Sequence, residues 1–92
     1  MTTKSWHSVA SGKPYPVAAR PAGPGSTLDA FAGDVELCID TGGEPMLIRG
    51  HGVVHGEQVR FYEKDAVGGK DVRVWHVSAR EGGLVAESIA AF

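Results

Sequence analysis

The stretch "QVRFYEKDAVGGKDVRVWHVS", residues 58–78, decides the fold class. Its two ends, 58–64 and 71–78, alternate apolar and polar side chains and are rich in β-branched and aromatic residues. Such alternation is typical of strands with one buried face, because successive side chains of a strand point to opposite sides. A short loop with a Gly-Gly pair joins them, so the sequence predicts an antiparallel hairpin across residues 65–70.

The sequence around this hairpin predicts three or four further short strands. They cover 35–40, then 45–50 and 51–56, and finally 84–90, for which a short helix is the alternative. The middle two form either one kinked strand or two, because Gly50 and Gly52 invite a bulge. We therefore predict a mainly β domain over residues 27–92, a small antiparallel barrel or sandwich of five to six strands.

The alternation also assigns an inner face to each strand. The predicted core consists of apolar residues at alternate positions, namely Val35, Leu37, Ile39, Met46, Ile48, Val53, Val59, Phe61, Val72, Val74 and Leu84. This assignment leaves Tyr62, Trp75 and Val77 on the outer face. Because that face then carries more apolar side chain than a solvated hairpin needs, we expect the N-terminal segment, a second subunit or both to cover it.

One short helix is predicted in "GSTLDAFAG", residues 25–33. Ser26 followed three residues later by Asp29 matches the start of a capping box, and Gly33 is a stop signal. The helix should have no more than one or two turns.

The first 26 residues predict an extended N-terminal arm. Residues 12–26 hold four of the five prolines and three of the thirteen glycines. Proline lacks the N–H that helices and ladders need and favours extended geometry in the residue before it. Trp6 and Tyr15 should anchor the arm, either on a partner or, alternatively, on the domain's own core. If the anchorage is on a partner, deletion of residues 1–24 should leave the β domain folded.

Basic and acidic residues are unevenly divided between the two segments. Residues 1–26 carry Lys4, Lys13 and Arg20 and no acidic residue, whereas residues 27–92 carry six basic and eleven acidic residues. This division suggests that the arm contacts an acidic surface, such as that of a neighbouring copy. The alternative is that three scattered charges have no such role. Neither segment is basic enough to indicate nucleic-acid binding.

Length and composition exclude several classes of protein. Ninety-two residues form one domain at most. The sequence has neither the long apolar run of a transmembrane helix nor the apolar stretch of a secretory signal, so we expect no membrane partner and no export by a signal peptide. The single cysteine, Cys38, excludes an internal disulfide. We expect the protein in a virion or in the cytoplasm.

Three histidines and the cysteine are the candidates for a metal site. Cys38, His51, His55 and His76 are zinc-ligand types, but their spacing matches no zinc signature. Residues four apart in a strand lie about 13 Å from each other, too far for one ion unless a bulge intervenes. No nucleophile elbow or phosphate loop is present. We therefore predict no catalytic residue, no cofactor and no metal, and surface or hydrogen-bonded histidines.

The hairpin carries the candidate protein-interaction residues. Arg60 and Tyr62 share one face of the first strand, and Arg73 and Trp75 share one face of the second. If the loop aligns these faces, the four side chains form a cluster with the composition of a protein–protein hot spot, which could also stack a base or a sugar. The alternative is ordinary cross-strand packing. Trp6, Tyr15 and Arg20 of the arm complete the predicted interaction set.

The layout of an extended N-terminal arm before a compact β domain resembles that of phage head decoration or cement proteins. The resemblance covers the whole chain and rests on the order of its segments. It implies a non-enzymatic structural protein that docks on neighbours through its arm, as a homo-oligomer or within a capsid-like assembly. Two alternatives remain: a small β-barrel binding or inhibitory module, for example a phage-encoded inhibitor of host defence, and a small metal-dependent protein or enzyme.

Overall fold

A computed structural model of the chain describes residues 11–20 and 22–92. Six strands and one short 3₁₀ helix make up the fold. In chain order the elements are β1 (Tyr15–Arg20), the 3₁₀ helix (Leu28–Phe31), β2 (Gly33–Ile39), β3 (Met46–His55), β4 (Gln58–Lys64), β5 (Asp71–Arg80) and β6 (Gly83–Ala91).

The strands form a closed antiparallel barrel in which each strand pairs with its neighbours in the sequence, and β1 pairs with β6. The predicted mainly β, antiparallel fold is confirmed, and of the two predicted architectures it is the barrel. The hairpin of 58–64 and 71–78 is confirmed as well, with Gln58 opposite Ser78 and Phe61 opposite Trp75. The predicted segments 45–50 and 51–56 are one continuous strand, β3.

Large apolar side chains fill the barrel. The core cluster comprises Tyr15, Ala19, Phe31, Leu37, Ile39, Met46, Ile48, Val59, Phe61, Trp75, Val77 and Ala86. The 3₁₀ helix contributes Phe31, which is fully buried. Because Trp75 and Phe61 lie opposite each other on adjacent strands and are both fully buried, aromatic area makes up much of the core.

The predicted outward position of Trp75 and Val77 on β5 was wrong, whereas Val74 is buried as predicted, at 6% exposed. Trp75 and Val77 are fully buried in the core, whereas Val72 is only partly buried. The register shifts between Glu63 and Lys64, and this shift leaves Val72 as an extra residue on β5. The inward phase of β5 is therefore that of the indole, the largest fully buried side chain among the described residues.

Two glycines of β3 explain why Val53 is not in the core as predicted. Gly50 and Gly52 do not create a bulge, since pairing with β2 and β4 continues through both. They are buried on the inner face, which places Val53 on the outside, 37% exposed, and not in the predicted core. A Cβ at Gly52 would overlap the carbonyl oxygen of Phe31, so the glycine lets the 3₁₀ helix lie directly on β3.

The boundary predicted between arm and domain was too late in the chain. Tyr15–Arg20 form strand β1 of the barrel, and the Tyr15 side chain is 7% exposed within the core cluster. Of the two predicted anchorages for Tyr15, the one on the protein's own core is therefore correct. A deletion of residues 1–24 would remove this barrel strand, so we now expect it to disrupt the domain. Residues 1–10, including Trp6, lie outside the described part of the chain.

The predicted capping box is absent. The residue that precedes the 3₁₀ helix is Thr27, which makes no side-chain cap. The Ser26 hydroxyl instead bonds the edge of β1, accepting from the Ala19 N–H at 3.2 Å. The β1–β2 loop thereby turns back onto its own strand, because an exposed strand edge offers unpaired backbone groups that a serine can satisfy.

We expect Gly52→Ala to destabilise the barrel by about 1–3 kcal/mol, because the methyl group forces the 3₁₀ helix away from β3. Gly43→Ala is the matched control, since a Cβ at Gly43 meets no atom within 4 Å. Urea unfolding followed by far-UV circular dichroism measures both changes. Equal midpoints for the two variants would contradict the close-approach role of Gly52.

A second expectation concerns β1. Deletion of residues 1–20 should abolish cooperative thermal unfolding, because it removes a strand, opens the barrel and takes Tyr15 and Ala19 from the core. Deletion of residues 1–10 is the control, since it keeps all six strands. Scanning calorimetry distinguishes the two. A sharp transition after the larger deletion would show that β1 is dispensable.

Candidate functional site

The predicted hairpin cluster is divided between two faces of the barrel wall. Arg60 and Tyr62 lie on the outer face, where their cross-strand partners are His76 and Val74. Arg73 and Trp75 point inward and are 7% and 0% exposed. Neighbouring strands in register place directly opposite residues on the same face, so this register separates the two pairs. The four residues therefore do not form the predicted hot spot.

The inner pair instead belongs to a buried polar cluster at one end of the barrel. The Trp75 Nε1–H donates to Glu63 Oε1 at 3.0 Å, and Arg73 Nη1 donates to Ser88 Oγ at 3.0 Å. The Arg73 guanidinium also lies 5.6 Å from the centre of the Trp75 ring. Buried charges need such partners, and here the bonds join β4, β5 and β6. We assign this cluster a structural role, because Glu63 and Ser88 are almost fully shielded.

The outer surface of β1, β2 and β3 carries ordinary ion pairs. Arg20 Nε lies 3.6 Å from Glu36 Oε1, and Arg49 Nε lies 4.0 Å from Glu36 Oε2. Arg20, predicted as an interaction residue, is therefore a surface residue that pairs within its own barrel. Exposed pairs of this kind contribute about 0–1 kcal/mol each.

The four candidate metal ligands lie in three separate places. His51 Nδ1 lies 2.9 Å from Asp34 Oδ1, and His55 and His76 line a small hollow with Gln58 and Arg60. Cys38 is on β2 and lines a different surface. Within residues 11–20 and 22–92, no group of three or more His, Cys, Asp or Glu side chains could hold a metal ion.

An open cleft with a volume of about 1220 Å³ lies where the barrel closes. The ladder between β1 and β6 has only two pairs, Tyr15 with Ala86 and Pro16 with Val85. If the ladder continued in the same register, Val17 would pair with Leu84. Both residues lie within strands, but they do not pair. We call the opening beyond Pro16 and Val85 the seam cleft.

Backbone groups of β1 face this cleft. The Ala19 N–H and C=O bond Ser26 and Gly23, so they point away from β2. Alternate residues of a strand direct their backbone groups to the same side, so those of Val17 also point away from β2, toward the cleft. The cleft therefore offers a short stretch of strand edge, the surface to which an extended polypeptide can add as a further strand.

The floor of the seam cleft is apolar. Val17 and Leu84 of the two strands, together with Leu28 of the 3₁₀ helix, line it and pack against the core. All three are only partly buried. Since the ladder is interrupted here, the margin of the core is accessible from outside, and an occupant with apolar side chains would complete its burial.

The rim of the seam cleft is acidic. Asp29, Asp40 and Glu57 line it and are exposed, whereas its one basic residue is Arg80. Arg80 Nη2 already donates to Glu87 Oε2 at 2.8 Å. The charge that remains for an occupant is negative, which favours basic segments.

Sequence reasoning missed the seam cleft. Its residues come from β1, β2, β4, β5, β6, the 3₁₀ helix and the connections between strands, which are distant in the chain. Pro16 removes one N–H group from β1, and the prolines at positions 14 and 21 directly flank the strand. These prolines could have indicated that β1 is weakly paired, but they could not have indicated that β6 is its partner.

A scan of the chain against protein-family models finds no match, and searches of curated proteins and of solved structures find none either. Among residues 11–20 and 22–92, no helix has both the length and the apolar character needed to cross a membrane.

We expect Ser88→Ala to lower the free energy of unfolding by about 1–3 kcal/mol, because Arg73 Nη1 loses a buried acceptor. Ser78→Ala is the matched control, since Ser78 is partly exposed on the outer face of β5. Urea titration at neutral pH measures both. The assignment of a structural role would be wrong if the two variants unfolded at the same midpoint.

Proposed function

We propose that this protein is a non-enzymatic protein-interaction module whose barrel captures an extended polypeptide segment in the seam cleft. The observation that supports the proposal is the interruption of the β1–β6 ladder after two pairs. At that point a strand edge, an apolar floor and an acidic rim adjoin one another. An extended segment that alternates apolar and basic residues satisfies all three.

The filled interior of the barrel also favours this function. Trp75, Phe31 and Phe61 are fully buried in the core, so the barrel is packed in the manner of a structural domain. Barrels that carry small ligands hold them in an interior cavity. The concave surface here lies outside, along the wall, where a chain segment can enter and leave at either end.

This mode of binding suits an assembly protein. Main-chain bonds to a strand edge give affinity with little demand on sequence, and side chains that enter the floor give specificity. A capsid decoration subunit and an inhibitory module for a single partner both act by such docking. The two roles differ in which chain supplies the segment.

The test is a titration of the ¹⁵N-labelled protein with a ten-residue peptide of alternating valine and lysine, its ends blocked. The amide resonances of Val17, Leu28 and Leu84 should shift, and the affinity should fall with added salt because the rim contributes electrostatically. The same peptide with glutamate in place of lysine should bind much more weakly. Shifts confined to other faces of the barrel would contradict the proposal.

Charge reversal in the rim provides the matched comparison. Asp29→Lys with Glu57→Lys should weaken binding of the valine–lysine peptide about tenfold, since two exposed attractions become repulsions. Asp34→Lys with Glu44→Lys changes the net charge equally, at exposed positions outside the cleft, and should leave the affinity unchanged. Equal losses in both variants would mean that net charge alone governs binding.

A further inference from the structure

We infer that the segment taken up by the seam cleft is residues 1–10 of a second copy of this chain. The inference rests on the proposed function and names its partner. It makes the protein a self-assembling subunit in which the N-terminal segment of one copy docks on the barrel of the next.

The place where the segment leaves the barrel supports this. Ser11 Oγ and the Gly12 N–H donate to the Ser88 carbonyl at 3.2 and 3.0 Å, which ties the chain to β6 just before β1 begins. This is the end of the barrel opposite the β1–β2, β3–β4 and β5–β6 connections, which line most of the cleft, and Pro16 and Asp40 line its nearer part. Ten extended residues reach roughly 33–36 Å, comparable to the longest dimension of the described molecule, 34 Å.

The composition of residues 1–10, "MTTKSWHSVA", suits the cleft. The segment carries Lys4 and no acidic residue, which matches the three exposed acids of the rim. Trp6 and Val9 supply apolar side chains for the floor. The segment contains no proline, so every one of its N–H groups after the first residue can join a ladder, unlike those of residues 12–26.

Geometry favours a second copy over the same molecule. To enter its own cleft, the segment would have to reverse direction at Ser11 and run back alongside β1. A neighbouring molecule can present its cleft directly beyond Ser11. Such a contact is head-to-tail, with a different surface on each partner, so repeated copies build a ring or a filament.

The experiment uses two full-length variants with complementary defects. The segment variant, Lys4→Glu with Trp6→Ser, retains an intact cleft. The cleft variant, Asp29→Lys with Glu57→Lys, retains an intact segment. Light scattering after size-exclusion chromatography should give a mass above that of one chain for the wild type and for the control variant Asp34→Lys with Glu44→Lys. Each of the two defective variants should be a monomer, and an equimolar mixture of them should recover a complex of two chains.

Recovery in the mixture is the decisive result, because one intact segment and one intact cleft then meet in different molecules. The inference is overturned if the wild type is monomeric, if either defective variant still associates, or if the mixture stays monomeric. Dispersed amide spectra of the variants check that each one is folded, and the exposed positions of Asp29 and Glu57 make this the expected result.

The valine–lysine peptide separates failure of this inference from failure of the proposed function. The segment variant should bind the peptide more tightly than the wild type, since no competing segment occupies its cleft. If the wild type is monomeric but its cleft still binds the peptide, the inference fails and the proposed function stands. If neither association nor peptide binding is seen, both fail.

Discussion

The contact of Trp75 with the inside of the barrel is the constraint on which the rest of the structure depends. The indole is fully buried and lies opposite Phe61 on the neighbouring strand. Once it points inward, strict alternation brings Val77 and Arg73 inward as well. An inward arginine then requires polar partners within the barrel, and Ser88 on β6 supplies one while Glu63 binds the indole. The Trp75 side chain thereby determines which face of β5 is buried. It also requires the buried polar cluster at one end of the barrel.

The way the barrel closes has the largest consequence for function. Strands β2 to β6 pair over long ladders, but β1 joins β6 through two pairs only. A closed barrel removes strand edges, and this one leaves a short length of edge between Val17 and Leu84. The β1–β2 loop covers part of it through Ser26. The uncovered part forms the seam cleft, so the weakest ladder in the fold and the best candidate for binding lie at the same place.

The distribution of basic residues distinguishes the N-terminal segment from the barrel. The basic residues of the first 26 positions fall into two groups, since Lys13 and Arg20 lie on or beside β1 whereas Lys4 precedes it. Arg20 pairs with Glu36, and Lys13 Nζ lies 5.5 Å from the centre of the Tyr15 ring, so both act within the barrel. Lys4 belongs to the segment that we propose docks on the acidic rim of the seam cleft. The arm of the assembly hypothesis is thereby shortened to residues 1–10.

The sequence by itself determined the hairpin of β4 and β5, most strand boundaries and the antiparallel β class, because turn residues and alternation are local properties of the chain. It could not determine which face of each strand is buried, since alternation defines two faces and only the packed volume chooses between them. That choice placed Trp75 inside and Val53 outside and separated Arg60 and Tyr62 from Arg73. Nor could the sequence show that Tyr15–Arg20, a strand with a proline directly before and directly after it, closes the barrel. Strand closure and the seam cleft join residues far apart in sequence, and such contacts exist only once the tertiary structure has formed.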